Sequence, residues 1–225
     1  MMGVRGARDT VAADGVITFT PEPNFNGTVT FPYTISDGTT TATADQVINV
    51  ADVNDPPVAT PSTSTGDEDT NILVSLSGTD IDGTVASVTV TTLPPASQGV
   101  LYYADGTTPV VAGTALTPSE AASLVFDPAP DFNGEVTITF TVTDDDGLES
   151  TAANEVITVN PLNDAPVAVS DTYSVGEDGG AITLNPLQAD SDVDGDTLSI
   201  VSINGTVMPA LGSTASIAVT GGTVN

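Results

Sequence analysis

The chain has 225 residues, of which 39% are hydrophobic and only 4% aromatic, and its 30 acidic residues against two basic ones give a formal net charge of −28. Both basic residues, Arg5 and Arg8, stand in the first ten positions, so everything after them lacks a cationic side chain. Such a surface repels nucleic acid and anionic membrane and attracts cations, while the absence of Cys excludes disulfides, and no apolar run approaches the ~20 residues of a membrane-spanning helix.

The opening "MMGVRGARDT" does not lead into the apolar stretch of a signal peptide, so any export address is expected outside this sequence. "NFNG" (24–27) then reads as a tight turn before the strand "GTVTFPYTIS", whose Pro32 suits an edge or a bulge. "TADQVINVAD" supplies the next strand. The phrase "DVNDPPVA" (52–59) follows, then the acidic pair Glu68-Asp69 and the ladder "DIDG" (80–83). In "GVLYYADG", Tyr102 and Tyr103 point to opposite faces of a strand, so one is expected in the core. "TPSEAASL" (117–124) predicts a single helical turn, with Thr117 as N-cap, Pro118 at the first helical position and Glu120 closing a capping box.

From there the chain repeats itself. "PAPDFNGEVTITFTVTDDDG" (128–147) matches "PEPNFNGTVTFPYTISDG" (21–38), with Phe132 answering Phe25 and Asp144 answering Asp37. Val136, Ile138, Phe140 and Val142 alternate with Thr, the pattern of a half-buried antiparallel strand. "TAANEVITVN" is the next strand, and "PLNDAPVA" (161–168) returns the joint, with Asn163 and Asp164 matching Asn54 and Asp55. Glu177-Asp178 and the ladder "DSDVDGD" (190–196) follow in the same order. Roughly seven short strands per repeat of ~100 residues predict an all-β fold of tandem immunoglobulin-like, Greek-key β-sandwiches. The repeat phase divides the chain into the C-terminal half of a repeat (1–51, with 1–10 an atypical leader), a complete repeat (52–160) and the N-terminal half of another (161–225).

The acids cluster at the joints, in the ladders and in the "EDT", "GED" and "DDDG" turns. Crowded aspartates repel one another unless a cation lies between them, and Ca²⁺ takes six to eight oxygens from such side chains. "DSDVDG" also begins like an EF-hand loop, but the twelfth position is Val201 rather than Glu and no helices flank it. Taken singly, each cluster is also what a turn, a solvated hairpin or a halophile-like acidic surface carries; their recurrence in one order favours calcium. The two N-G-T sequences, at Asn26 and Asn204, read as turns rather than glycan sites.

The joint, the acidic pair, the D-x-D ladder, "FNG" and "TVTDDDG", in that order, resemble the cadherin-like tandem repeats of large RTX-type and biofilm adhesins of bacteria. That resemblance covers nearly everything after residue 10. It implies Ca²⁺ at each junction: Asp52, Asn54 and Asp55 with Asp80, Asp82 and Asp144 at the first. At the second it implies Asn163 and Asp164 with Asp190, Asp192 and Asp194, completed by Glu68 and Asp131. Glu177 would serve a further junction. The sequence departs from the pattern twice, with Pro161 in the place of Asp52 and Asn24 in the place of Asp131.

The function expected is a calcium-stiffened spacer or stalk of a secreted or cell-surface adhesin, its partners being neighbouring repeats or other copies of the chain. The two half-repeats together make one repeat period; the plain reading is a repeat array cut at arbitrary phase, and the alternative is that copies join head to tail into filaments. The alternative is an adhesive module that binds a cell surface or glycan directly. An enzyme is not expected: without His, Cys or Lys the usual bases and covalent nucleophiles are missing, and the acids fall at repeat ends rather than in an aromatic-lined cleft.

Overall fold

A computed structural model describes residues 7–11, 15–208, 217–219 and 222–224, with side chains described for residues 15–208. The chain divides into two units, Met1–Pro161 and Leu162–Asn225.

The first unit opens with two antiparallel hairpins. β1 (Ala7–Val11) pairs with β2 (Ile17–Pro21), and β3 (Gly27–Ser36) pairs with β4 (Thr41–Val50) along its whole length. The leader is thus in part a strand, while residues 1–6 lie outside the described residues. Among the described residues Pro32 has β4 on one side and no strand on the other, so its missing N–H breaks no second ladder there.

Ten strands follow: β5 (Val58–Thr60), β6 (Ser62–Asp67), β7 (Ile72–Val74), β8 (Ser77–Thr79), β9 (Val85–Thr92), β10 (Gly99–Tyr102), β11 (Ala115–Leu116), β12 (Leu124–Pro128), β13 (Gly134–Asp144) and β14 (Ala153–Asn160). One helical turn, α1 (Pro118–Ala121), precedes β12, and its capping box between Thr117 and Glu120 is the one the sequence predicts. The count exceeds seven because chains switch partners mid-strand. β5 pairs with β8 and β6 with β14; Pro61, which has no N–H to donate, stands where the pairing changes.

β11, β9, β13, β14 and β6 make a five-stranded sheet in that order, and β10, β12 and β7 a three-stranded one. The alternation read in β13 turns Val136, Ile138, Phe140 and Val142 inward, all fully buried against Phe126 and Leu124 of β12. Tyr103, partly buried, packs against this core. The β6–β14 pair is parallel, joining residues nearly one hundred positions apart.

On β14 one inward position is not apolar. Glu155 lies between Ala153 and Ile157 on the buried face of β14, fully inaccessible, and neither carboxyl oxygen has a hydrogen-bond partner among the described residues. A buried polar group left unsatisfied costs about 1–3 kcal/mol, so the sheet carries a local cost where the earlier repeat has the exposed Gln46.

In the second unit, residues 162–201 form no regular strand; a single bridge joins Val167 to Ser191. β15 (Ser202–Ile203) pairs with β16 (Thr206–Val207), and β17 (Ile217–Val219) with β18 (Gly222–Val224). The ladder at 190–196 lies in a turn, and among the described residues no helix flanks it. In the first unit β6 and β7 pair with β14 and β12, which come from residues 124–160.

Candidate metal centre

β13 runs antiparallel to β14, so its two ends mark the two ends of the sandwich, roughly 35 Å apart at the usual rise per residue. Acidic residues gather at both.

At the end where β13 finishes, the joint 52–55, the ladder between β8 and β9 and the turn after β13 converge. Asn54 Nδ2 donates to Asp144 Oδ2 at 2.8 Å, and the Asp55 backbone N–H donates to Asp82 Oδ2 at 2.9 Å. The Asp82 N–H in turn reaches Asp80 Oδ1 at 3.3 Å. Asp145, which sequence reasoning passed over in favour of its neighbour Asp144, accepts from the Thr84 N–H at 2.8 Å. Gly83 is what lets these groups close up: an added Cβ would fall 2.8 Å from Asp145 Oδ1 and 3.2 Å from Asp80 Oδ2. The signal for Asp145 was available, since "DDDG" offers three adjacent acids.

The electrostatics fit a cation. Asp144 is 2% exposed. Its desolvation alone would raise its pKa, but the Asn54 amide and the backbone N–H groups of Leu148, Gly147 and Asp146 outweigh that and hold it below the ordinary value. Asp145 is likewise lowered, chiefly by the Thr84 N–H. For Asp82 the balance tips the other way. The Asp55 N–H favours its charge, yet desolvation and the adjoining Asp80 and Asp55 carboxylates raise its pKa. Asp80 Oδ2 is buried and has no hydrogen-bond partner among the described residues. An orphaned buried carboxylate oxygen beside a carboxylate whose charge is disfavoured is a donor set that a divalent cation satisfies.

Beside these groups Asp52, Asp55 and Asp82 line a cleft of about 270 Å³ together with Glu22, Asn24 and Asn26 of the preceding turn. Asp52 accepts from Asn26 Nδ2 at 2.5 Å. Glu22 was not among the expected ligands; its sequence signal, an acid where the next repeat has Ala129, breaks the repeat rather than following it. Asp37, the counterpart of Asp144, is saturated by its own turn: the backbone N–H groups of Thr40 and Thr39 and both hydroxyls hold its pKa far below the usual range.

At the other end of the sandwich Glu68 is 1% exposed, and its Oε2 accepts from Asn133 Nδ2 at 3.2 Å. Its backbone N–H donates to the carbonyl of Asn160. Asp131 is exposed, in a left-handed conformation at φ 57°, and its N–H meets Asp69 Oδ1 at 3.3 Å.

The second unit repeats the ladder geometry by itself. The Asp164 N–H donates to Asp194 Oδ2 at 2.7 Å, as Asp55 does to Asp82, and the Asp194 N–H reaches Asp192 Oδ1 at 3.1 Å, as Asp82 reaches Asp80. Asp190 Oδ1 accepts from the Val169 N–H at 2.8 Å, and Asn163 Nδ2 donates to the Asp164 carbonyl. Glu177 is exposed in the turn closed by Gly179 N–H and Gly176 C=O, with no hydrogen bond joining it to the other named acids.

Sheets packed face to face with acids massed at their ends define an immunoglobulin-like β-sandwich protein. The chain belongs to the bacterial Ig domain family, which matches residues 54–157 and 163–225; a cadherin-like domain matches residues 4–51. This pairing marks an adhesion-type module of the extracellular or surface kind. Such families are typically non-enzymatic, and cadherin-like domains generally bind calcium. Among curated proteins the chain is similar to integrin beta-like protein C of Dictyostelium discoideum, 34% identical over 118 residues, which is 47% of this chain but only 6% of that protein. Among solved structures it is similar to an endo-fucoidan hydrolase of glycoside hydrolase family 107, with TM-score 0.32 and 21% identity, covering 75% of this chain and 25% of that one. It is also similar to the fibronectin(III)-like modules of CbhA from Clostridium thermocellum, with TM-score 0.26 and 16% identity, covering 72% of this chain and 83% of that one. Among the described residues no helix is long and apolar enough to cross a membrane.

Proposed function

We propose that the chain is a calcium-stiffened spacer within a secreted or cell-surface adhesin, its sandwiches linked through cation sites at their acidic ends. The observation that carries this reading is the orphaned Asp80 Oδ2 beside Asp82, in a chain with no cation of its own after Arg8. Asp52, Asp55, Asp80, Asp82, Asp144 and Asp145, with the Asn54 side chain, would hold the ion. Bound there, it would neutralise the carboxylates and tie the joint 52–55 to the ladder and to the turn after β13. The integrin beta-like relative agrees with an adhesive setting.

The test replaces Asp80 and Asp82 together with Asn. Size is kept and two mutually repelling charges go, so in chelator the sandwich should melt no lower than wild type, while calorimetry should count fewer Ca²⁺ per chain. An unchanged count would remove the ladder from the site.

Assembly between copies is a second reading, favoured by the β3–β4 hairpin. Tyr33 and Ile35 are 40% and 63% exposed, whereas their repeat counterparts Phe140 and Val142 are fully buried under strands drawn from residues 58–128. Residues 161–225 of another copy carry the corresponding front half and could cover that face by strand addition. Such a contact is heterologous and runs on into a filament. Light scattering of the 225-residue chain at high concentration should then show growing mass, and deletion of residues 1–51 should stop it. A monomeric full chain, or equal growth of the truncated one, would exclude complementation.

A further inference from the structure

The F-N-G turn occurs twice with one geometry. Asn24 and Asp131 open it in the left-handed conformation at φ 59° and 57°, and Gly27 and Gly134 close it at φ 114° and 132°. The Phe25 N–H bonds the Glu22 carbonyl at 3.2 Å, and the Phe132 N–H bonds the Ala129 carbonyl at 3.0 Å. Held this way, the asparagine between Phe and Gly projects its side-chain amide at the end of the strand it begins. In both turns that amide finds a carboxylate: Asn26 Nδ2 donates to Asp52, and Asn133 Nδ2 to Glu68.

The two acceptors are not repeat counterparts. The position matching Asp52 is Pro161, which offers no carboxylate, and Asn133 meets instead an acid 65 residues before it. A side chain needed only to close its turn would bond within the turn, as Asp37 and Asp105 do through their own Thr neighbours. Here the donor stays constant while the acid comes from elsewhere in the fold.

We infer that the asparagine of the first F-N-G turn is a positioning residue of a cation site: Asn26 aims Asp52 into the cleft it shares with Glu22, Asp55 and Asp82. This rests on the calcium reading above. At Asp52 the amide N–H fixes Oδ1, so that Oδ2 can face a cation. It also holds the acid in place when no cation is bound, so the ligand is not repelled from the cleft by its acidic neighbours. Removing a hydrogen bond that orients a metal ligand commonly lowers metal affinity ~10–100-fold.

The experiment titrates the 225-residue chain with Ca²⁺ by calorimetry as wild type, Asn26→Ala, Asp52→Asn and the double variant, with melting measured separately in EDTA. The expected result is that Asn26→Ala weakens one class of site about tenfold or more, leaves the EDTA melting temperature unchanged because Asn26 is exposed, and adds nothing further in the Asp52→Asn background. Full calcium affinity in Asn26→Ala, beside weakened binding in Asp52→Asn, would overturn the positioning role and leave the calcium site standing. A lower EDTA melting temperature with unchanged affinity would make Asn26 a turn residue only, which also overturns it. A flat titration of the wild type would remove the calcium reading itself and the inference with it.

Discussion

Chelating calcium is expected to lower the melting temperature of the chain steeply, and restoring about 10 mM Ca²⁺, one hundred times a Kd at the tight end of the range for such modules, should return it. Extracellular calcium modules bind with Kd of ~10⁻⁴ to 10⁻³ M. A site filled at one hundred times its Kd gains about 2.7 kcal/mol, against a total stability of roughly 5–15 kcal/mol for a domain. For a sandwich of this size, that is a shift of about 10–20 °C. The source of the gain is specific: metal-free, the Asp55 N–H that favours the Asp82 charge is outweighed by desolvation and by the adjoining Asp80 and Asp55 carboxylates, so that charge is disfavoured there. Magnesium at the same concentration should restore less, because it demands six ligands at short fixed distances and gives up its water reluctantly. Sodium at matched ionic strength should restore least, since screening alone leaves Asp80 Oδ2 without a partner. Amide exchange at residues 52–55 and 80–84 should slow with calcium, reporting that the joint stiffens. Equal melting and equal exchange with and without the ion would end the spacer reading.

The same substitution at two matching positions should have opposite weight. Phe140→Ala removes a fully buried ring from the centre of the complete sandwich, where it packs with Phe126 and Ile138. Truncating such a residue costs about 3–5 kcal/mol through lost transfer energy and the cavity left behind, enough to lower the melting temperature by roughly 12 °C or more. Tyr33→Ala, one repeat earlier on a face that is 40% exposed at that point, should change melting little in dilute solution. The contrast follows from coverage: the two side chains stand at the same point of strands with the same pattern, but among the described residues only Phe140 has a second sheet over it. If the two variants melt alike, the β3–β4 face is covered in solution by something beyond its own unit. Should Tyr33→Ala lose stability only at high concentration, the cover is another copy.

Short-range features were legible in the residues because short-range physics makes them. The alternation Val136, Ile138, Phe140, Val142 needs only the two-residue period of a strand, and β13 forms over Gly134–Asp144 around it. Thr117 and Glu120 lie three residues apart, and their capping box needs nothing beyond one turn of backbone. The order of joint, acidic pair and ladder was likewise visible, since repeats copy local sequence. What the tertiary structure decided was which of these pieces meet. The parallel union of β6 with β14, the bond from Asn54 to Asp144 and the clamp of Asn26 on Asp52 join residues from 26 to more than 90 positions apart. Each depends on how intervening loops close, and no local period records that. Asp145 and Glu22 enter the first acidic end for the same reason, through a glycine without a Cβ and a turn packed beside the joint. Glu155 is the sharpest case: chemistry would send it outward, but it shares a strand with Ala153, Ile157 and Val159, and the pleat that buries them buries it too.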